Sequence, residues 1–223
     1  MKKKEVEMKR LDNRIRPKHF HVTIFGSARI NKNDLIYREI YNLAEAIGKR
    51  NWDVVTGGGP GVMEAASLGH EKGNKSAKGD AHSIGLGIWL PHEQKFNTGV
   101  QIYRKFKIFS KRLDNFMLLS NAIVVAPGGV GTLLELVYSW QLMQVGDTCQ
   151  IPIILLGKVW SGLLDWLRKE PMMKGYFEKK DFDLLYHVRN WKEAVEIISE
   201  AEKAWKKGDN VCLNYKKYKT GKE

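Results

Sequence analysis

Nine consecutive positions, Pro127-Gly128-Gly129-Val130-Gly131-Thr132-Leu133-Leu134-Glu135, carry the residue types that could do chemistry. An apolar run, Ala122 to Ala126, precedes them and predicts a buried parallel strand. An apolar-rich run from Leu133 to Val145 follows and predicts a helix. The stretch is therefore expected to turn from strand into helix. Gly128, Gly129 and Gly131 let the backbone approach a ligand closely and adopt positive φ at low cost. The unpaired N–H groups of the new helix point into such a turn, and its dipole favours an anion there. Thr132 adds a hydroxyl. Glu135 lies about one helical turn further in and can face the same ligand. The pattern reads as a phosphate cradle, with donors from Gly129, Val130, Gly131 and Thr132 and a carboxylate beside them. The plainer alternative is a tight turn with a core-facing glutamate paired locally.

Two further turns have the same character. Gly26-Ser27 follows a predicted strand over His21–Phe25, and Gly57-Gly58-Gly59-Pro60-Gly61 follows one over Asp53–Thr56. Gly26, Ser27, Gly58 and Gly59 are candidate phosphate or ribose contacts. Glu64 opens the helix expected over Val62–Glu71; it is either a ribose contact or an acid favoured there by the helix dipole alone.

The elements that must position these turns alternate along the chain. Asp34–Arg50 has helical apolar spacing through Leu35, Ile36, Ile40, Leu43, Ala44 and Ile47, with Asn33 or Asp34 as cap. Residues 72–82 read as a loop, Ser83–Leu90 as a strand, and 91–100 as irregular. Tyr103–Asn121 reads as a helix whose apolar set includes Phe106, Phe109, Leu113, Phe116, Met117 and Leu119. Strands are then expected over Ile151–Leu156 and Leu184–Val188, and helices over Trp160–Lys169 and Trp191–Lys206. Alternation of this kind predicts a mainly parallel sheet with helices on both faces. Ligands bind such sheets at the carboxyl ends of strands, near a switch in strand order. The three turns would then line one crevice, which points to a nucleotide-like ligand.

The chain has 223 residues and a formal net charge of +12. Residues 1–19 and 203–223 each contribute +5, so the body is nearly neutral and no basic groove for nucleic acid is implied. The expected organisation is a basic arm over 1–19, one domain over 20–207 and a basic tail over 208–223. Two cysteines with no CxxC imply neither a disulfide framework nor a zinc site, which fits a reducing cytoplasm. The six histidines show no HExxH spacing, and His19 and His21 precede a strand. No apolar leader and no transmembrane span are expected.

The dinucleotide fingerprint is absent, because Gly129-Val130-Gly131-Thr132-Leu133-Leu134 lacks the final glycine of GxGxxG. No GxxxxGK[ST] occurs. A mononucleotide or a phosphorylated sugar fits better. Gly57-Gly58-Gly59-Pro60-Gly61-Val62-Met63-Glu64-Ala65 and Pro127–Glu135 together resemble the LONELY GUY (LOG) family, the second stretch matching its PGGxGTxxE motif at every fixed position. Ile84-Gly85-Leu86 and Leu90-Pro91-His92-Glu93-Gln94 resemble a middle segment of the longer bacterial members. The resemblance spans roughly residues 20–200. It implies a three-layer modified Rossmann fold, a homodimer, and a cofactor- and metal-independent phosphoribohydrolase. Such an enzyme splits a nucleoside 5′-monophosphate, of the AMP or cytokinin type, into free base and ribose 5-phosphate. It also implies a catalytic pair: Glu135 of the motif and Arg112, fifteen positions before Pro127. The alternative on the same fold is a non-catalytic carrier of a nucleotide or molybdopterin. The label lysine decarboxylase, often given to members, finds no pyridoxal-phosphate lysine signature here. The helix after the motif is apolar nearly all round, which suits a helix covered on both sides; the core is one cover, and the resemblance implies that a second subunit is the other.

Overall fold

In a computed structural model, which describes residues 19–89, 95–176 and 178–208, seven strands and six α-helices alternate. They run β1 (His21–Phe25), α1 (Leu35–Lys49), β2 (Asp53–Thr56), α2 (Val62–Ala77), β3 (Ser83–Ile88), β4 (Ile102–Phe106), α3 (Phe109–Leu119), β5 (Ala122–Val125), α4 (Val130–Gln144), β6 (Ile153–Leu156), α5 (Trp160–Leu167), β7 (Leu185–Val188) and α6 (Trp191–Lys206). The strands form one sheet in the order β4-β3-β2-β1-β5-β6-β7, and every pairing is parallel. The expected three-layer α/β architecture is present. β1 is the pivot: it pairs with β2 through Val22 and Val54 and with β5 through Val22 and Ala122. The chain winds outward from β1 in one direction and resumes on its other side at β5, so the switch in strand order lies between them.

Both faces of the sheet are covered, which is why its strands read as apolar runs rather than alternating ones. On one face Val22, Ile24, Val54 and Val124 pack against α1, α2 and α6. On the other, Phe25, Val55, Ile123 and Val125 pack against α3, α4 and α5. Helices α1 and α2 approach through glycines. A Cβ on Gly69 would stand 2.2 Å from the Tyr41 carbonyl oxygen, and one on Gly73 would stand 2.1 Å from that of Glu45.

Several expected boundaries shift, each for a physical reason. The helix expected over Tyr103–Asn121 is two elements, strand β4 and helix α3. Ile102 and Phe106 are buried four residues apart, a spacing that a strand and a helix share. The strand forms because Gly85 and Gly87 of β3 leave room for Phe96, which packs on Tyr103 with ring centroids 4.6 Å apart. Helix α2 continues to Ala77, taking in half of the expected loop over 72–82, and ends at Lys78 in a left-handed conformation. β3 ends at Ile88 instead of Leu90. Helix α5 ends at Leu167 and passes into a π-helical turn, Arg168–Met172, that contains Pro171. Asp34 is the residue before α1, but its carboxylate accepts from the Asn31 amide and makes no cap bond to the helix. Residues 1–18 of the arm expected over 1–19, residues 209–223 of the tail expected over 208–223, Leu90 of the expected strand and residues 91–94 of the irregular stretch lie outside the described residues. No helix among the described residues is long and apolar enough to cross a membrane.

Candidate active site

The three glycine turns meet at the carboxyl ends of β1, β2 and β5 and are locked together by backbone. The Ser27 amide donates to the Pro127 carbonyl at 3.1 Å, and the Val62 amide donates to the Ser27 carbonyl at 3.0 Å. Gly26 has no room for a side chain, since a Cβ there would stand 2.6 Å from Val62. Gly61 adopts φ +67°, and its absent Cβ would meet the Ser27 carbonyl at 2.5 Å. These contacts place the switch point between β1 and β5 at the floor of an open crevice of about 500 Å³, within the usual size range of small-molecule sites.

Gly26, Ser27, Gly129, Val130, Gly131, Thr132, Arg112 and Glu135 all line this crevice. The remaining predicted contacts, Gly58, Gly59, Glu64 and Gly128, are not among its lining residues. Gly58 and Gly59 are engaged from behind: their carbonyls accept from the Asn97 side chain at 3.1 and 2.8 Å, and a Cβ on Gly58 would meet Phe96 at 2.3 Å. Glu64 pairs with Lys32 at 3.2 Å. Gly128 serves Thr132, because a Cβ at 128 would stand 2.1 Å from Thr132 Oγ1. None of Gly128, Gly129 and Gly131 takes the positive φ expected of them. What Gly129 and Gly131 supply is absence of bulk: a Cβ at either would meet nothing within 4 Å. Helix α4 starts at Val130 rather than Leu133, with Gly129 as the residue before it and no side-chain cap. Its first-turn N–H groups have no partner within the helix. The result is bare helix N-terminus facing open space, the arrangement that receives an anion.

Arg112 and Glu135 come together from two helices. Arg112 is one turn into α3 and Glu135 one turn into α4; Arg112 Nη1 stands 3.3 Å from Glu135 Oε1. Their side chains are only 10% and 12% exposed. Arg112 is fixed by a bond from Nε to the Leu86 carbonyl at 2.6 Å and by the Phe116 ring, 4.9 Å from its guanidinium carbon. Gly57 leaves space for it, since a Cβ there would lie 2.6 Å from Arg112 Nη2. Burial pushes the Glu135 carboxyl up to about 7, against the opposing charge and hydrogen bond of Arg112. Burial likewise lowers Arg112 from its ordinary value, and Glu135 resists that shift.

Arg29, Met63 and Phe109 also line the crevice. Phe109, read from the sequence as a core residue of a longer helix, is 42% exposed and offers a flat apolar wall. Only the position of the β4–α3 break, which apolar spacing did not reveal, could have moved it from core to site.

The family model described as "Possible lysine decarboxylase" matches residues 54–198. A pyrimidine/purine nucleotide 5′-monophosphate nucleosidase of Escherichia coli (strain K12) is 31% identical over 140 residues. That match covers 61% of this chain, but the chain spans only 30% of the length of that relative. Among solved structures, the molybdenum cofactor binding protein from Rippkaea orientalis has 21% identity and a TM-score of 0.57, covering 82% of this chain and 98% of its own. The molybdenum cofactor carrier protein MCP from Chlamydomonas reinhardtii has 21% identity and a TM-score of 0.58, covering 83% and 99%. At such identities these two structures share the fold.

Proposed function

The chain belongs to the family described as possible lysine decarboxylase, the LOG family, and from that premise we propose that it is a nucleoside 5′-monophosphate phosphoribohydrolase. Water adds to the anomeric carbon of the ribose. The N-glycosidic bond breaks with its electron pair passing to the base, and the products are free base and ribose 5-phosphate. The observation that carries this reading is the buried Arg112–Glu135 pair, set 3.3 Å apart beside a bare helix N-terminus in one crevice.

The chemistry follows from that geometry. The phosphate takes the N–H groups of Gly129, Val130, Gly131 and Thr132, with Gly26 and Ser27 closing the opposite wall. Glycosidic cleavage builds positive charge on the ribose ring, and the Glu135 carboxylate faces that charge. A carboxyl that titrates near 7 can also take the proton of the attacking water and pass it to the departing base. Arg112 holds Glu135 in place and offers a planar donor fork to the leaving base. Phe109 gives the base a surface to stack on. Glu64, paired with Lys32, has no part in this scheme.

The proposed activity differs from the one that the family's description names. Among the described residues that line the crevice there is no lysine to hold pyridoxal phosphate as a Schiff base. A nucleotide or molybdopterin carrier on this fold would bind without turnover. Chromatography of free base released from a panel of nucleoside 5′-monophosphates separates the two readings. Release from at least one monophosphate is expected, with poor turnover of the di- and triphosphates and none of the plain nucleoside. Equal turnover of a nucleoside and its monophosphate would overturn the cradle, and tight binding with no base released would favour the carrier. A second copy of the chain covers the outer face of α4, where Val130, Leu134 and Val137 form an exposed apolar stripe.

A further inference from the structure

Four of the six histidines gather at the end of the sheet opposite the crevice. Asp53 opens β2 and is fully buried. His19 Nδ1 stands 3.0 Å from its Oδ1 and His21 Nε2 3.2 Å from its Oδ2. The His82 amide, one residue before β3, donates to Asp53 Oδ1 at 2.7 Å. His70 packs nearby, its Nε2 2.9 Å from the Trp52 carbonyl oxygen. The sequence separates these residues by up to 63 positions, so no local spacing could show them together.

We propose that His19, Asp53 and His82 form a binding site for a divalent first-row transition-metal ion of the zinc type, which fastens the amino-terminal ends of β1, β2 and β3 to one another. One ligand atom from each residue lies within 4.8 Å of the others. Two ligands on a tetrahedral ion, each bonded at about 2.0–2.2 Å, stand about 3.3 Å apart. The His19–Asp53 pair stands close to that spacing at 3.0 Å, and the His82 ligand atom lies within 4.8 Å of both.

Three further observations point the same way. His82 Nδ1 is buried without a hydrogen-bond partner, whereas His21 Nε2 and Asp53 Oδ2 face each other at 3.2 Å. Buried polar atoms of this kind are costly unless something satisfies them, and an ion with its bound water does so. The His82 amide orients Asp53 as an outer hydrogen bond orients a metal-ligating carboxylate. Two imidazoles and one carboxylate select metals such as zinc, nickel and copper over magnesium and calcium. The His19 side chain, 11% exposed, borders solvent and gives the ion a path in. Three protein ligands leave one position for water, but the crevice lies at the opposite ends of the same strands. The proposal is therefore independent of the hydrolase reading.

The test uses the full chain, stripped with chelator and titrated with zinc chloride by calorimetry. Cobalt(II) in parallel is read by its visible absorption. One equivalent per chain with a micromolar or tighter Kd is expected, together with a rise in Tm and a cobalt spectrum of four-coordinate type. His19→Ala lies at the edge of the cluster and should fold normally; it should weaken binding at least tenfold and abolish the Tm rise, with His82→Ala acting likewise. Magnesium should do nothing. No heat and no Tm change with zinc would overturn the proposal. So would unchanged affinity in the His19→Ala, His82→Ala double variant, which would place any bound zinc elsewhere.

Discussion

Glu135 shows how burial decides what a residue can do. An exposed glutamate is an anion at neutral pH and a poor proton carrier; this one titrates near 7 because its desolvation outweighs the help of Arg112. Glu135→Gln keeps the shape and removes the charge. The turnover rate should fall by roughly 10²-fold or more, the usual range for a positioned acid–base or electrostatic group. Nucleotide affinity should persist, since backbone donors hold the phosphate. In the native protein kcat/KM should rise with pH through about 7 as the carboxylate forms. The substrate phosphate adds a limb near its own second ionisation, about 6, which the Gln variant should retain while losing the one near 7. Near-normal turnover in a folded Gln variant would remove Glu135 from the chemistry. The glutamate was legible in its glycine motif. Arg112 was legible only through resemblance, because an arginine in a basic run, Arg104 to Arg112, carries no local sign that it will be buried. Nor did the sequence reveal Phe109 as a wall.

At the scale of the element, strand-to-helix turns were legible because glycine punctuates them, and helix-to-helix seams were not. Gly69 lies in the expected helix and Gly73 in the expected loop over 72–82, and nothing in either setting shows that they let α2 lie against the α1 backbone. The β4–α3 break was hidden because Ile102 and Phe106 satisfy both periodicities. The turn into α4 separates two uses of glycine. Gly129→Ala adds a methyl to open space at a residue with φ −98°, a conformation open to alanine. Its Tm should stay within a degree or two of native, while the KM for the monophosphate rises as the methyl intrudes on the anion. Gly128→Ala instead drives a methyl into Thr132, and overpacking of this kind costs about 1–3 kcal/mol. Its Tm should drop. Equal Tm losses in both variants would show that Gly129, too, is there for packing, and an unchanged KM in Gly129→Ala would leave α4's N-terminus without its anion.

Over the whole molecule the sheet divides the labour: the carboxyl ends of β1, β2 and β5 hold the crevice, and the amino ends of β1, β2 and β3 hold the histidine cluster. The α/β layering was legible because buried parallel strands and amphipathic helices differ in apolar period. What covers the molecule's outside was less so. The sequence of α4 is apolar nearly all round, and the fold explains half of that: Leu136, Trp140 and Met143 turn inward to the core. Val130, Leu134 and Val137 follow one another at four- and three-residue steps on the opposite face, with Val130 83% and Val137 53% exposed. A contiguous apolar stripe left to water marks an interaction surface, and a two-fold pairing of identical stripes is the simplest way to cover it. Val130 also lines the crevice, so a partner docked on this stripe would stand beside the bound nucleotide. Light scattering behind size exclusion should therefore give at least a dimer at micromolar concentration. Val137→Asp, at an exposed position that the core does not need, should give a folded monomer with its Tm little changed at the same protein concentration except for the stability that association supplies. A native protein that runs as a monomer would leave the stripe uncovered and remove the dimer. A Val137→Asp variant that still runs as a dimer would move the interface to another face.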